Sequence, residues 1–301
     1  MHYNPWVETR IVAKFNVTST SEATTIMYST ATSSFTEIEI DGVVQPSVVS
    51  SYTFDTTGEH TIKYTLVDPT TIGSSAFRNC TNLISVTIPN SVTTISDNAF
   101  SYCNNLTSVT IPDSVTTIGG NAFQNCTGLT SITIPDSVTT IVSHAFNSCS
   151  GLTSVTIPNS VTTIGNYAFC YCTGLTSIII GNAVTSIGEG AFYGCTGLTS
   201  ITIPNGVTSI GSSTFSGCTG ITSITIPNGV TSIGQYAFSS CTGLTSITSL
   251  TTTAPTIQSN TFRNVKSSGT LIVPTGSSGY DVWMGTGDYY LGKYNWTKVE
   301  Q

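Results

Sequence analysis

Nine cysteines are the most reactive side chains in this 301-residue chain, and their spacing decides what they could do. Eight stand at 80, 103, 126, 149, 172, 195, 218 and 241, each 23 residues after the last. A zinc site needs ligands clustered within a few residues, as in paired C-x-x-C, and no such cluster occurs. Cysteines repeating at one long interval stack in a column, where parallel side chains are poorly oriented for disulfides. The column therefore reads as a small, buried, reduced core element. Cys170 is off the beat, two before Cys172, and is expected to point outward as a free thiol. His144 has no neighbouring Ser, Cys or Asp pattern that could make a nucleophilic triad. Asp97, Asp113, Asp136 and Glu189 are scattered, without the facing pair that glycoside hydrolysis requires. No catalytic residue, metal ligand or cofactor motif emerges, and a non-enzymatic protein is expected.

The elements that position these residues follow from the same interval. Phenylalanines stand at 77, 100, 123, 146, 169, 192, 215 and 238, in step with the cysteines. A fixed period of this length means a stacked solenoid, in which each unit buries its apolar face only against its neighbours. Within a unit the apolar residues fall as Leu106-x-x-Val109-x-Ile111, Val115-x-x-Ile118, then Ala122-Phe123 and Cys126. Val109 and Ile111 share one face of a short strand, which Pro112 closes because it cannot donate a ladder hydrogen bond. Asp113-Ser114 turns the chain, Val115 to Ile118 is a second extended piece, and Ala122-Phe123 is expected to form one tight helical turn. Coils stacked in register at ~4.8 Å would pack every column on itself.

The sentence CTGLTSITIPNGVTSIGxxAF at 195–215, with its copies over roughly two thirds of the chain, resembles the treponemal-type, BspA-like leucine-rich repeat family. The resemblance implies a curved, right-handed leucine-rich repeat array on proteins of gut and oral anaerobes, surface-exposed and used for adhesion or partner binding. It implies no catalytic residues. The expected fold is thus a β-rich solenoid with short parallel strands over 66–265. A small β-sandwich-like N-terminal domain would occupy 1–65, and an aromatic-rich C-terminal cap 266–301.

Charge narrows the partners. Only 8% of residues are charged, with a net charge of −7, and all eight Lys and Arg lie at or beyond the ends of the array. Between Arg78 and Arg263 there is no Lys or Arg. Nothing there could neutralise phosphates, so nucleic acid and anionic membrane surfaces are poor partners. No apolar run approaches the ~20 residues that span a bilayer. Met1 to Trp6 lacks the basic and apolar segments of a secretory leader. Either such a leader was removed, consistent with a secreted or cell-surface protein, or the protein never used one, as in a phage virion.

At the ends, Phe35–Ile40 and Val43-Val44 flank the hairpin signal Asp41-Gly42, and Ser51–Phe54 is expected to pair with His60–Leu66 through Thr57-Gly58. This N-terminal part could cap the first coil or attach the protein to a larger assembly. The C-terminal aromatics could likewise cap the last coil, or Trp283 and Trp296 could form a sugar-stacking platform.

Variation between the repeats is concentrated just after Ile-Gly and just after Phe. These slots hold Tyr102, His144, Tyr167, Tyr171, Tyr193 and Tyr236, a candidate contact stripe for a host or bacterial surface protein or glycan. The outward Ser-x-Thr pairs, such as Ser131 and Thr133, are β-favouring surface residues that could also order water or a glycan. Two functions remain: a surface binding or adhesion protein, or a structural or host-recognition part of a phage particle.

Overall fold

Each 23-residue unit closes one turn of a three-sided β-solenoid in the computed structural model, which describes residues 9–301. The stretch Met1 to Trp6 lies outside the described residues. The first side carries short parallel strands such as Ser131–Thr133, Ser154–Ile157 and Ser177–Ile180, paired serine on serine in the predicted register. The second carries two-residue strands, among them Thr140–Ile141, Thr163–Ile164 and Ser186–Ile187, again paired like on like. In-register stacking follows from the repeated sequence, because any other offset would move Ile columns to the surface.

The third side is not the isolated helical turn expected from Ala-Phe. It is a third ladder of hydrogen bonds between coils. Asn121, Phe123 and Asn125 donate their amides to the carbonyls of Ser143, Ala145 and Asn147 in the next coil, at 3.3, 2.9 and 2.8 Å. The intervening amides of Ala122, Gln124 and Cys126 close local turns onto Gly119, Asn121 and Phe123. This alternation needs a left-handed residue at each end of the corner, and Asn121 (φ 56°) and Asn125 (φ 57°) supply it.

The corner drops its phenylalanine inward. Rings from Phe77 to Phe262 form one column, with neighbouring centroids 5.2 to 5.8 Å apart and planes within 11° of parallel. Tyr64 meets Phe77 edge-on at 5.1 Å, and Trp283 covers Phe262 at 5.3 Å, so both ends of the column are closed by aromatic rings. The cysteine column beside it is buried as expected and also does something the sequence pattern did not reveal. Each thiol of the column after Cys80 donates to the carbonyl of the phenylalanine one coil earlier, as Cys149 Sγ does to Phe123 O at 3.0 Å. The same bond recurs at Cys103, Cys126, Cys172, Cys195, Cys218 and Cys241.

The strand ladders are interrupted at two joints, one after Ser108–Thr110 and one after Ser177–Ile180, on both strand sides at once. The corner ladder runs through both joints. Val142 lies at the first. Most coils place glycine after the second-strand Ile, where a Cβ on Gly119 or Gly165 would lie 2.6 Å from a backbone nitrogen of the preceding coil. Ser96 fits this column with its ladder intact, whereas the residue at the first joint is the β-branched Val142. No single residue explains the second joint.

At the N-terminal end, Ile11–Val17 pairs antiparallel with both Gly58–Leu66 and the first array strand, Leu83–Thr87. One six-stranded sheet therefore runs from the N-terminal residues into the solenoid, which covers an edge that would otherwise be open. Asp41 (φ 48°) and Gly42 (φ 85°) turn Phe35–Ile40 into Val43–Val44, as the hairpin signal predicts. The second expected hairpin does not form. Ser51–Tyr52 pairs with Thr24–Thr25, and Gly58–Leu66 is instead a central strand between Ile11–Val17 and Phe35–Ile40. Its alternate residues His60, Ile62, Tyr64 and Leu66 are all buried, which a hairpin with one short partner could not achieve.

At the other end, Thr270–Val273 is the final repeat-like strand, and Thr297–Glu300 adds one more parallel strand. Trp283 and Trp296 are 1% and 4% exposed, and their indole N–H groups donate to Pro255 O and Lys266 O. Rings so buried cannot stack on a sugar, so the carbohydrate-platform reading of these two tryptophans is withdrawn.

The columns make unequal contributions to stability. Phe146→Ala should cost about 3–5 kcal/mol, a cavity in the middle of the ring stack. Cys149→Ala should cost about 1–2 kcal/mol, mainly the lost thiol bond. Urea unfolding followed by circular dichroism would rank the two. Equal effects would contradict this assignment.

Candidate functional site

The slots with most variation between repeats coincide with the left-handed positions of the corner. The slot before Ala-Phe holds Asn98, Asn121, His144, Tyr167, Gly190, Ser213 and Tyr236, and the slot before Cys holds Tyr102, Asn125, Ser148, Tyr171, Gly194, Gly217 and Ser240. All have positive φ. None is β-branched, so these positions have not drifted freely. Asn and Gly tolerate this conformation, whereas an ordinary side chain costs roughly 1–2 kcal/mol there. Tyr102, His144, Tyr167, Tyr171 and Tyr236 carry that cost, with φ between 54° and 63°.

The polar residue before the first left-handed slot has a structural task in several coils. Asp97 Oδ1 accepts the amide of Gly120 at 2.6 Å, and Asn166 Oδ1 accepts that of Glu189 at 2.9 Å.

The fold brings four of the six candidates together. His144 stacks on Tyr167 at 5.2 Å and 14°, and the far side of the Tyr167 ring lies over Gly190, where a Cβ would be 2.3 Å from Cε1. Tyr171 similarly lies over Gly194 and meets Tyr193 edge-on at 5.2 Å. Glycine in the next coil thus makes room for each ring to lie flat along the surface. Tyr167 Oη donates to Glu189 Oε1 at 2.7 Å. That bond first, then burial and the nearby negative charge, pushes the Tyr167 phenol up to about 12. The Tyr193 hydroxyl and then burial raise Tyr171 as well. Both phenols therefore remain neutral hydrogen-bonding groups at physiological pH. Tyr102 and Tyr236 stand apart. Each is 69 residues, or three 23-residue coils, from its counterpart in the patch, Tyr171 or Tyr167.

Cys170 does not point outward. It is 4% exposed and occupies the same slot as Tyr193 one coil earlier, beside Tyr171. The expectation of an outward thiol assumed strand-like alternation, which does not hold in the corner. Burial pushes its thiol up to about 11.

A second exposed feature lies on the Ser-x-Thr strand face that the sequence offered for water or a glycan, with an isoleucine that sequence reasoning missed. An open groove of about 770 Å³ crosses the first strand side, lined by Ser131, Thr133, Ser154 and Thr156 with Asp136, Asn159 and Asn182 at the turns. Ile179 stands in it 65% exposed. The available signal was Ile179 itself, which replaces the threonine of other coils. The Ser-x-Thr pairs remain exposed, and a different residue makes the hydroxyl ladder. Thr153 and Thr176, just before the strands, donate to Thr130 O and Thr153 O one coil back.

Among the described residues no group of three or more His, Cys, Asp or Glu side chains is placed to hold a metal, and no helix is long and apolar enough to cross a membrane. What the molecule offers is a rigid stack of coils with buried constant columns and a variable exposed corner, the layout of a repeat-protein binding scaffold. The profile of the BspA type leucine rich repeat region matches residues 47–176 and 162–278, with six copies, and the chain belongs to this family. No curated protein matches it. Among solved structures it is similar to a leucine rich repeat protein of T. pallidum (TpLRR), 35% identical over 47% of this chain and 68% of that one, with a TM-score of 0.46. It is also similar to a leucine rich cell surface protein of Faecalibacterium prausnitzii, 26% identical over 74% and 80%, with a TM-score of 0.33. A leucine-rich repeat protein of Eubacterium ventriosum is 23% identical over 77% and 70%, with a TM-score of 0.46.

The buried thiols set an alkaline limit. Burial pushes Cys149, Cys195 and Cys241 up to about 12, while a thiol in the unfolded chain ionises near ~8.5. The unfolded state therefore loses protons first. Stability should be intact below about pH 8.5 and fall as pH rises through the window up to the folded values, by about 1.4 kcal/mol per thiol per pH unit. Thermal melts from pH 7 to 11 would show a midpoint that holds to about pH 8.5 and falls above it, and a profile flat throughout would refute the buried assignment.

Proposed function

We propose that this protein is a non-catalytic, adhesion-type binding protein of a bacterial surface, whose partner is a protein or glycan held on the corner patch of His144, Tyr167, Tyr171 and Tyr193. The observation that carries the reading is that tyrosine and histidine occupy left-handed backbone positions where asparagine or glycine would be unstrained, with glycines placed in the next coil to seat two of the rings. Tyrosine contributes large contact area and a polar tip while losing little conformational entropy, which suits it to recognition surfaces. Family membership supports a scaffold role, and the F. prausnitzii relative named as a cell surface protein supports the location. The phage alternative gains no support from these relatives.

The test uses substitutions that other coils already carry at the same slots. His144→Asn, Tyr167→Asn, Tyr171→Asn and Tyr193→Gln, combined, should leave the fold intact, since Asn121, Asn125 and Gln124 occupy the equivalent positions. Native protein and variant would be screened against glycan arrays and host-matrix proteins. The reading predicts a ligand whose binding falls at least about tenfold in the variant, a loss of about 1.4 kcal/mol. Equal binding by both, or no ligand for the native protein, would count against it.

A further inference from the structure

Among the described Lys and Arg residues, Arg78, Arg263 and Lys266 face no carboxylate, and of these three only Arg78 has a buried nitrogen without a partner. Arg10, Lys14, Lys63, Lys293 and Lys298 each face a carboxylate. Arg78 has no carboxylate partner among the described residues, and its Nε is sealed from solvent without a hydrogen-bond acceptor. An ordinary surface arginine keeps water on that nitrogen. The corner slot it occupies holds uncharged residues in the next seven coils, from Ser101 to Ser239, and arginine again at Arg263 in the last.

Its surroundings form a pocket. The guanidinium lies over the Tyr28 ring, 5.6 Å from the centroid. It lines an open surface depression of about 300 Å³ between the N-terminal residues and the first coil, together with Thr25, Ser29, Ser50 and Ser51. None of these four hydroxyls makes a side-chain hydrogen bond to another described residue, and no carboxylate lines the depression. The walls are fixed by the backbone: Ile26 and Met27 both donate to Ser50 O at 3.0 and 3.2 Å, and Tyr28 donates to Ala76 O at 3.0 Å. Stacking on tyrosine orients the planar guanidinium and leaves its terminal nitrogens to pair with a planar anion.

We propose that this pocket binds the carboxylate of an acidic, uronate-type sugar, with Arg78 pairing the carboxylate and the surrounding hydroxyls meeting those of the ring. A single positive charge matches a monoanion better than a phosphate dianion, and the guanidinium fork matches a carboxylate in geometry. A wall of free hydroxyls suits a polyhydroxylated ring better than an aliphatic acid. The site is separate from the corner patch at 144–193, so either can stand without the other.

The test is an NMR titration of the full chain at fixed ionic strength, following the Arg78 Nε–H and Tyr28 ring signals. The probes are sodium glucuronate, glucose and N-acetylglycine. Saturable shifts with glucuronate are expected, weaker by roughly tenfold or more with either control. They should vanish in Arg78→Gln and weaken in Arg78→Lys, which keeps the charge but loses the fork. Circular dichroism matching the native protein would show that each variant is folded. Shifts that never saturate, or saturable binding that survives in folded Arg78→Gln, would overturn the site. N-acetylglycine binding as tightly as glucuronate would overturn its assignment to a sugar.

Discussion

The ladder at the phenylalanine corner is the constraint on which the rest of the molecule depends. Three amides per coil donate to the following coil, and this pattern is continuous even where both strand ladders lapse. To direct alternate amides the same way, the corner needs a left-handed residue at each end, and that requirement limits which side chains can occupy the most exposed slots. The same geometry drops the phenylalanine inward onto its copy. It also leaves the phenylalanine carbonyl with room for a second donor, which the cysteine of the next coil provides. One backbone arrangement thus accounts for the Phe column, the Cys column and the restricted palette of the variable slots.

What the sequence made legible was whatever repeats as a column. Phe, Ile, Cys and Leu recur at one interval, and columns that pack only on themselves can be read without knowing the shape of the coil. What it hid depended on the sign of a dihedral or on a neighbour one coil away. The corner was mistaken for a helical turn because a short apolar Ala-Phe looks the same in both. A signal was nevertheless present, since the left-handed slots hold Asn, Ser, Gly, Tyr and His but never Val, Ile or Thr. Cys170 was misplaced by applying two-residue alternation outside a strand. The pairing of Gly58–Leu66 was missed because its first partner, Ile11–Val17, is remote in sequence and its turn signal pointed to the nearer Ser51.

The candidate site shows the same division. The sequence identified His144, Tyr167, Tyr171 and Tyr193 as variable, but only the fold shows that they are contiguous, while Tyr102 and Tyr236 lie three coils away from their counterparts. Glu189 joins the patch through Tyr167, a contact between neighbouring coils. Constant columns hold the stack together, and the strained exposed corner leaves a surface on which side chains can be exchanged without disturbing the core. This separation allows a repeat array to change partner while keeping its fold.

The central claim, that the corner ladder rather than the strand ladders holds the coils in continuous register, is tested most directly by native-state hydrogen exchange. At the joint spanned by Val142, the account predicts slow exchange at Asn121, Phe123 and Asn125. The strand amides of Ser131–Thr133 and Thr140–Ile141 should exchange much faster than their counterparts in Ser154–Ile157 and Thr163–Ile164. Uniform protection of all strand amides, with the corner amides exchanging first, would contradict it.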